Sequence, residues 1–291
     1  PGGSARSSAS PARPRACTAT GPARKGQAHR PAARKASMII DVTHLEVRFA
    51  RSAEDLAAAQ RLRYAVFVAE LGGDGPGVDH AGRRECDAHD AHARHLLLID
   101  HAAGGAVIGA YRLMDDAAAR AAGGFYCAGE YDLAPLHASG RRLLELGRSC
   151  LAPAYRGGLA LHLLWGGLAA HVRETGAEIL FGVASFHGSD PAALAQPLSY
   201  LGRHFRAPPE IRPVARPPGA SPMTLLPEAA LDRRAAMLAT PALIKAYLRA
   251  GGRVGDGAFV DRAFNTVDLC MILDTARLSE GARRRFAEPA G

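Results

Sequence analysis

Acid is missing from the first 37 residues. Eight basic side chains stand there (Arg6, Arg13, Arg15, Arg24, Lys25, Arg30, Arg34, Lys35) with no Asp or Glu, and setting them aside leaves 28 basic against 28 acidic residues in 38–291. The formal charge of +8 therefore belongs to the N-terminal stretch. A near-neutral body counts against a nucleic-acid-binding domain, because affinity for phosphates needs surplus Lys and Arg on the domain itself. The same stretch has no Leu, Ile, Val, Phe or Met, so it has nothing to bury against its chain entropy, and residues 1–37 are expected to be a disordered basic extension. It also lacks the apolar core of a secretory signal, although its Arg- and Ser-rich, acid-free composition is shared by organellar transit peptides. Met38 is the first methionine and opens the first apolar segment. We expect the natural start there, with the upstream residues an over-extended reading of the gene.

Long hydrophobic runs are absent too. The nearest, residues 159–172, is broken by His162 and His171, so no segment reads as a membrane-spanning helix. Cysteine is sparse: five residues (Cys17, Cys86, Cys127, Cys150, Cys270), an odd count with no CxxC spacing, describe no disulfide framework and suit a reducing cytosol. At 48% apolar composition, 38–291 is long enough for one substantial core, and we expect one domain there. No internal repeat is visible.

Residues 44–49 (HLEVRF) alternate as a half-buried strand does. Ser52 then caps a helix with Glu54 and Asp55 in its first turn, running to Gly72-Gly73. The Gly-, His- and Asp-rich loop from Asp74 to Ala93 is longer than a connection needs and is a site candidate. A hairpin of strands at 95–100 and 106–114 follows, then a short helix capped by Asp115 or Asp116, a strand at 143–152, an apolar helix at 159–174 and a central strand at 178–185. A helix at 190–205 interrupted at Pro197, helices at 228–238 and 241–249, strands at 257–261 and 266–274, and a last basic helix complete the chain. This order predicts an α/β fold whose central sheet is mixed and largely antiparallel, flanked by helices, with a C-terminal extension of helices and strands.

The densest chemistry lies in Leu144-Glu145-Leu146-Gly147-Arg148-Ser149, followed by Arg156-Gly157-Gly158. A strand with a carboxylate at its centre runs into a glycine turn that opens a helix, and the free N–H groups of a helix N-terminus form an anion site suited to the phosphate of a pantetheine arm. Regular strand geometry puts Glu145 and Arg148 on opposite faces, so a shared site requires a bulge, for which Gly147 is well placed. Cys86, Asp87, His89, Asp90, His92 and His95 are metal-ligand types in close order, but their spacing fits no zinc pattern and we expect no metal. Cys150 reads as a packing cysteine. Tyr111, Phe125, Tyr126, Phe186, Tyr200 and Phe205 are candidates to line an apolar tunnel, and Arg141, Arg142, Arg203, His204 and Arg206 to dock an acidic protein. The amphipathic helix 241–249 could touch a membrane surface.

Arg63-Tyr64-Ala65-Val66-Phe67, Asp87 and Asp90 before His95-Leu96-Leu97, Gly109-Ala110-Tyr111-Arg112-Leu113, Glu145-Leu146-Gly147-Arg148-Ser149, Phe181-Gly182-Val183-Ala184-Ser185 and Phe264-Asn265-Thr266-Val267-Asp268 occur in one order. Together they resemble the blocks of bacterial ornithine-lipid-forming N-acyltransferases, relatives of the acyl-homoserine-lactone synthases within the Gcn5-related acyltransferase fold. The resemblance spans nearly all of 44–274. It implies transfer of a 3-hydroxyacyl chain from acyl carrier protein to the α-amine of L-ornithine, in the cytoplasm or peripherally at its membrane, with no bound cofactor, the phosphopantetheine arriving on the donor. The Arg-Gly-Gly turn falls short of the full pyrophosphate loop of coenzyme-A-dependent members, which favours a carrier-protein donor. The attacking amine needs a base and the thioester oxygen needs donors. Glu145 is expected as the base, with Arg148 stiffening the site or contacting the carrier arm and Ser149 beside it. Arg63 or Arg112 would hold the acceptor's carboxylate, Asp87 or Asp90 its side-chain ammonium, and Phe67 would line its pocket; alternatively these charges form an ion-pair cluster that shapes the site. Arg156, Gly157 and Gly158 would take the phosphopantetheine. Two competing functions share the fold, a lactone-forming signal synthase and a non-catalytic, haemolysin-like membrane-surface protein.

Overall fold

A computed structural model of the chain describes residues 42–287. The expectation for residues 1–37 falls outside them.

The core is a nine-stranded mixed sheet. Its main strands are β1 (Leu45–Phe49), β2 (Arg94–Asp100), β3 (Ala106–Asp115), β4 (Leu143–Leu151), β5 (Ile179–His187), β6 (Ala258–Asp261) and β7 (Thr266–Asp274). They lie in the order β1-β2-β3-β4-β5-β7-β6, with Ala220–Ser221 beyond β6 and Arg253–Val254 against β7. Every pairing is antiparallel except β4 with β5. Strands β2, β5 and β7 read as nearly unbroken apolar runs because they are covered on both faces. Leu96, Leu98, Leu144, Leu146, Leu180, Leu269 and Met271 point to one core, and Leu97, Ile99, Leu143, Ile179, Phe181, Cys270 and Ile272 to cores on the other face.

The helices are α1 (Ala53–Arg63), α2 (Asp116–Ala122), α3 (Ala134–Ala138), α4 (Ala160–Thr175), α5 (Ala195–His204), α6 (Arg233–Ala239), α7 (Ala242–Ala250) and α8 (Glu280–Ala287). Ser52 and Asp115 cap α1 and α2 by accepting from the N–H groups of Asp55 and Ala118. Pro197 does not interrupt α5; it sits in the first turn, where its missing N–H has no intrahelical partner to lose. The helix expected over 228–238 is instead a 3-10 turn, Glu228–Ala230, followed by α6, which Asp232 caps.

Two irregularities position the site. Beyond Arg63 the first helix widens into a seven-residue π-helix, Tyr64–Glu70, a form concentrated at functional sites. The β4–β5 pairing covers only Leu143↔Ile179, Leu144↔Leu180 and Glu145↔Phe181, although each strand has nine residues. Beyond Glu145 the strands part. At the parting point their backbones approach so closely that a Cβ on Gly182 would sit 2.0 Å from Leu146 O.

Candidate functional site

The loop after the π-helix folds back over α1 through two short strands, Val78–Asp79 and Arg84–Glu85, and a 3-10 turn, Ala88–Ala91, that Asp87 caps. This brings Glu85, Asp87 and Asp90 onto Arg63, Arg112 and Arg148. Arg63 grips Asp90 with two bonds of 2.8 and 2.7 Å and lies 2.6 Å from Glu85 through Nε. Arg112 Nη1 donates to Asp87 at 2.5 Å and Asp90 at 3.0 Å. Arg148 donates to Glu85 and Asp87, both at 3.0 Å. Three guanidiniums meet three carboxylates, so the cluster is charge-balanced. Burial alone would raise Asp90 and Asp87, but the Arg63 and Arg112 guanidiniums hold both carboxyls below the usual range.

Arg148 reaches this cluster through a bulge. The β3–β4 register slips between Ala110 and Arg112, where Arg148 and Ser149 oppose Tyr111 alone. The residue at positive φ is Arg148 (51°), not Gly147. A left-handed conformation is costly for a non-glycine residue, and here ion pairs and stacking hold it. The guanidinium lies 4.3 Å from the Tyr126 ring centre and 5.4 Å from that of Phe264.

Between the parted strands lies a cleft of about 530 Å³. Val66, Phe67 and Leu71 of the π-turn form one wall, and Leu161, Leu243 and Ala246 of α4 and α7 the other. Ser149, Cys150 and Leu151 supply an edge with no strand partner on the β5 side, and Gly157 and Gly158 close the end at the N-terminus of α4. That helix begins with no side chain capping its first N–H groups. At the floor, Ser185, Asp261, Thr266 and Asp268 line the cleft beneath Arg148, Tyr126 and Phe264. Burial pushes Asp268 up to about 6 and Tyr126 up to about 12.

Of the candidate site residues, Phe67, Arg148, Ser149, Arg156, Gly157 and Gly158 line one cleft. Glu145 does not. It is 2% exposed, is absent from the cleft wall, and its carboxylate accepts from the N–H groups of Tyr126 (2.9 Å) and Cys127 (2.6 Å). A carboxylate bound by two amides beneath the sheet is not placed to take a proton from a substrate; it anchors the segment that carries Tyr126. Arg63, Arg112, Asp87 and Asp90 are likewise spent on one another. Arg156 is clamped on Glu70 by bonds of 2.5 and 2.7 Å, so it shapes the rim rather than standing free for phosphate.

Of the tunnel aromatics, Tyr126 alone reaches the cleft, joined by Phe67 and Phe264. Tyr111 bonds Trp165, while Phe125 packs on Phe181 in the core. Arg141 and Arg142 lie just before β4, at the opposite end of that strand from the cleft, and Arg203 and His204 pair with Glu228. Burial raises the Cys150 thiol to about 12, too high for a nucleophile. The residues that sequence reasoning missed are Ser185, Asp261, Phe264 and Glu130, which closes on the floor acids from behind. A lone carboxylate inside the apolar run of β7, Asp268, was the available signal.

Residues 62–166 match the family model described as an acetyltransferase (GNAT) domain. Among solved structures, an N-acyl amino acid synthase from uncultured soil microbes is similar, with a TM-score of 0.47 at 12% identity, covering 80% of this chain and 95% of that one. The L-ornithine N(alpha)-acyltransferase of Brucella abortus is 42% identical, covering 81% of this chain and 86% of its own. That of Rhodobacter capsulatus is 55% identical over 83% of this chain and 94% of its own length. Identity at that level across most of both sequences makes this protein an acyltransferase, and the chain belongs to the L-ornithine N(alpha)-acyltransferase family.

Proposed function

We propose that the chain moves a 3-hydroxyacyl group from the thioester of acyl carrier protein to the α-amine of L-ornithine. The observation that carries this reading is the cleft between β4 and β5, which has an open strand edge, one apolar end and one acidic end. An extended phosphopantetheine arm can pair with the free edge of β4, with its phosphate against Gly157, Gly158 and the uncapped N–H groups of α4. The acyl chain then lies between Phe67 and Leu243, and the thioester comes to rest at the bulge. Backbone N–H groups that the bulge takes off the ladder are available to the carbonyl oxygen as it turns anionic.

The acceptor enters over the acidic floor. Its α-amine attacks as the neutral form, the C–N bond forms, and collapse of the adduct breaks the C–S bond. The proton leaving nitrogen equals the one the departing thiolate takes up, so the transfer from neutral amine to thioester is balanced without a permanent protein base. Glu145 contributes one step back, by holding Tyr126 against Arg148. Arg63, Arg112, Asp87 and Asp90 contribute by fixing Arg148 where the bulge needs it. The product is a lipid, and α7, which lines the cleft, follows α6 directly. There Leu238, 81% exposed, stands beside Arg233, Arg234 and Lys245, a surface suited to anionic headgroups at the cytoplasmic membrane.

The test is to incubate the full chain with 3-hydroxyacyl carrier protein and a mixture of ornithine, lysine, glutamine and S-adenosylmethionine, then weigh the lipid products by mass spectrometry. A single acyl-ornithine species is expected. A lactone product, or a carrier that keeps its acyl group, sinks the reading.

A further inference from the structure

Glu130, Asp261 and Asp268 each offer a carboxylate oxygen, and these three atoms lie within 4.8 Å of one another. They come from distant segments. Glu130 follows the 3-10 turn Tyr126–Gly129, while Asp261 and Asp268 sit on the two strands of the β6–β7 hairpin, in the register Asp261↔Thr266 and Phe259↔Asp268. Glu130 is 6% exposed and Asp268 4%, yet Glu130 Oε2 and Asp268 Oδ1 have no hydrogen-bond partner. The hydroxyls of Ser185, opposite Asp268 on β5, and of Thr266, two residues away on the same strand face, lie against the Asp268 carboxylate and offset part of its burial, while nothing comparable reaches Glu130 Oε2. Arg148 is the nearby cation, and its Nε and Nη2 are already given to Glu85 and Asp87.

Buried carboxylates with unfilled acceptors cost stability, and they persist where a ligand completes them. Burial pushes Asp268 up to about 6 and Glu130 well above the usual carboxylate range, as befits clustered carboxylates with too little positive charge beside them. An alkylammonium supplies one charge and three N–H donors. Three oxygens accepting from one such nitrogen at hydrogen-bond distance stand about 4.6 Å apart, which the spacing of this trio admits. Asp261 and Asp268 face the cleft in which the acyl donor would lie.

We propose that Glu130, Asp261 and Asp268 form the specificity pocket for the side-chain ammonium of a diamino-acid acceptor. The assignment rests on the amine-acylating reading above and names what that reading leaves open, the residues that tell a diamino acid from its uncharged isostere. It replaces Asp87 and Asp90, whose carboxylates are committed to arginine.

Binding of the acceptor needs no acyl donor, so the pocket is testable even without turnover. Calorimetry would compare L-ornithine with L-norvaline, which has the same carbon skeleton and no side-chain amine, on the full chain and on its Glu130→Gln and Asp268→Asn variants. Ornithine is expected to bind the unaltered chain at least about tenfold more tightly than norvaline, since a charged donor is matched to charged acceptors. That preference should fall at least about tenfold in either variant. Binding to the unaltered chain should also release protons, seen as an enthalpy that changes with the buffer's ionisation heat. Asp261→Asn, at a half-buried position, repeats the test should a buried variant fail to fold. Equal affinity for the two amino acids, or a preference that survives all three substitutions, overturns the proposal. So does a cluster that answers to magnesium or calcium, raising Tm in the unaltered chain and not in Glu130→Gln, while ornithine changes nothing. Loss of acyl transfer with the ornithine preference intact would instead count against the transfer reading and leave the pocket standing.

Discussion

Glu145 separates two roles that a carboxylate in the middle of a strand can play. A base lost by Glu145→Gln would remove a limb from the pH–rate profile. The geometry predicts otherwise: kcat/KM should keep rising with pH as the amine of the acceptor loses its proton, in variant and parent alike. Stability should fall by about 1–3 kcal/mol, because one of two buried amides loses its carboxylate oxygen. Denaturant melts with parallel pH–rate curves would check both. Asp268 on the floor and the arginine-bound Asp87 and Asp90 titrate with opposite sign. Asp87 and Asp90 have lowered pKa values, so their stabilisation is full above the unfolded value near about 4 and is lost as pH falls below it. Asp268 has a raised value, so its contribution is full below about 4 and is lost as pH climbs through about 6. Asp268→Asn should therefore raise Tm at pH 8 and leave it nearly unchanged at pH 4. An equal shift at both pH values would contradict that assignment.

At the scale of elements, the periodic pieces were legible and the irregular ones were not. Strand β1 and the Ser52 and Asp115 caps follow from alternation and capping chemistry, which are local. The continuous apolar run of β5 announced a central strand, and those of β2 and β7 announced strands. The π-turn at Tyr64–Glu70 has no periodic signature, and the bulge was readable only as a need, because ion pairs from a loop some sixty residues away decide that Arg148 takes the strained conformation. The floor acids escaped for the same reason, since residues 130, 261 and 268 meet only after the hairpin docks beside β5. Gly182 offers a test of the parting point. Gly182→Ala pushes a Cβ into Leu146 O, which is backbone and has little room to yield. A cost of about 1–3 kcal/mol is expected, with a rise in KM for the acyl donor as the cleft edge moves. Unchanged Tm and KM would show that β5 is free to shift.

At the scale of the whole molecule, the most exposed large apolar side chain among the described residues is Leu238 of α6, 81% exposed and beside Arg233, Arg234 and Lys245. No helix among the described residues is long and apolar enough to cross a bilayer, and the lipid contact proposed above rests on the surface of α6. Vesicles containing anionic lipid should bind the chain, less so as salt is raised, and Leu238→Asp should weaken binding without altering Tm. Binding that ignores both salt and Leu238 would remove α6 from the account. The short ladder between β4 and β5 has a mechanical meaning as well. Strands β1 to β4 and strands β5 to β7 are two half-sheets joined along three residue pairs. That join is a seam, and amide exchange should be faster along residues 146–151 than in the fully paired β2 or β7. A donor arm laid along the open edge would stitch the halves together, so the protein should exchange more slowly and unfold more cooperatively with its substrate than without it.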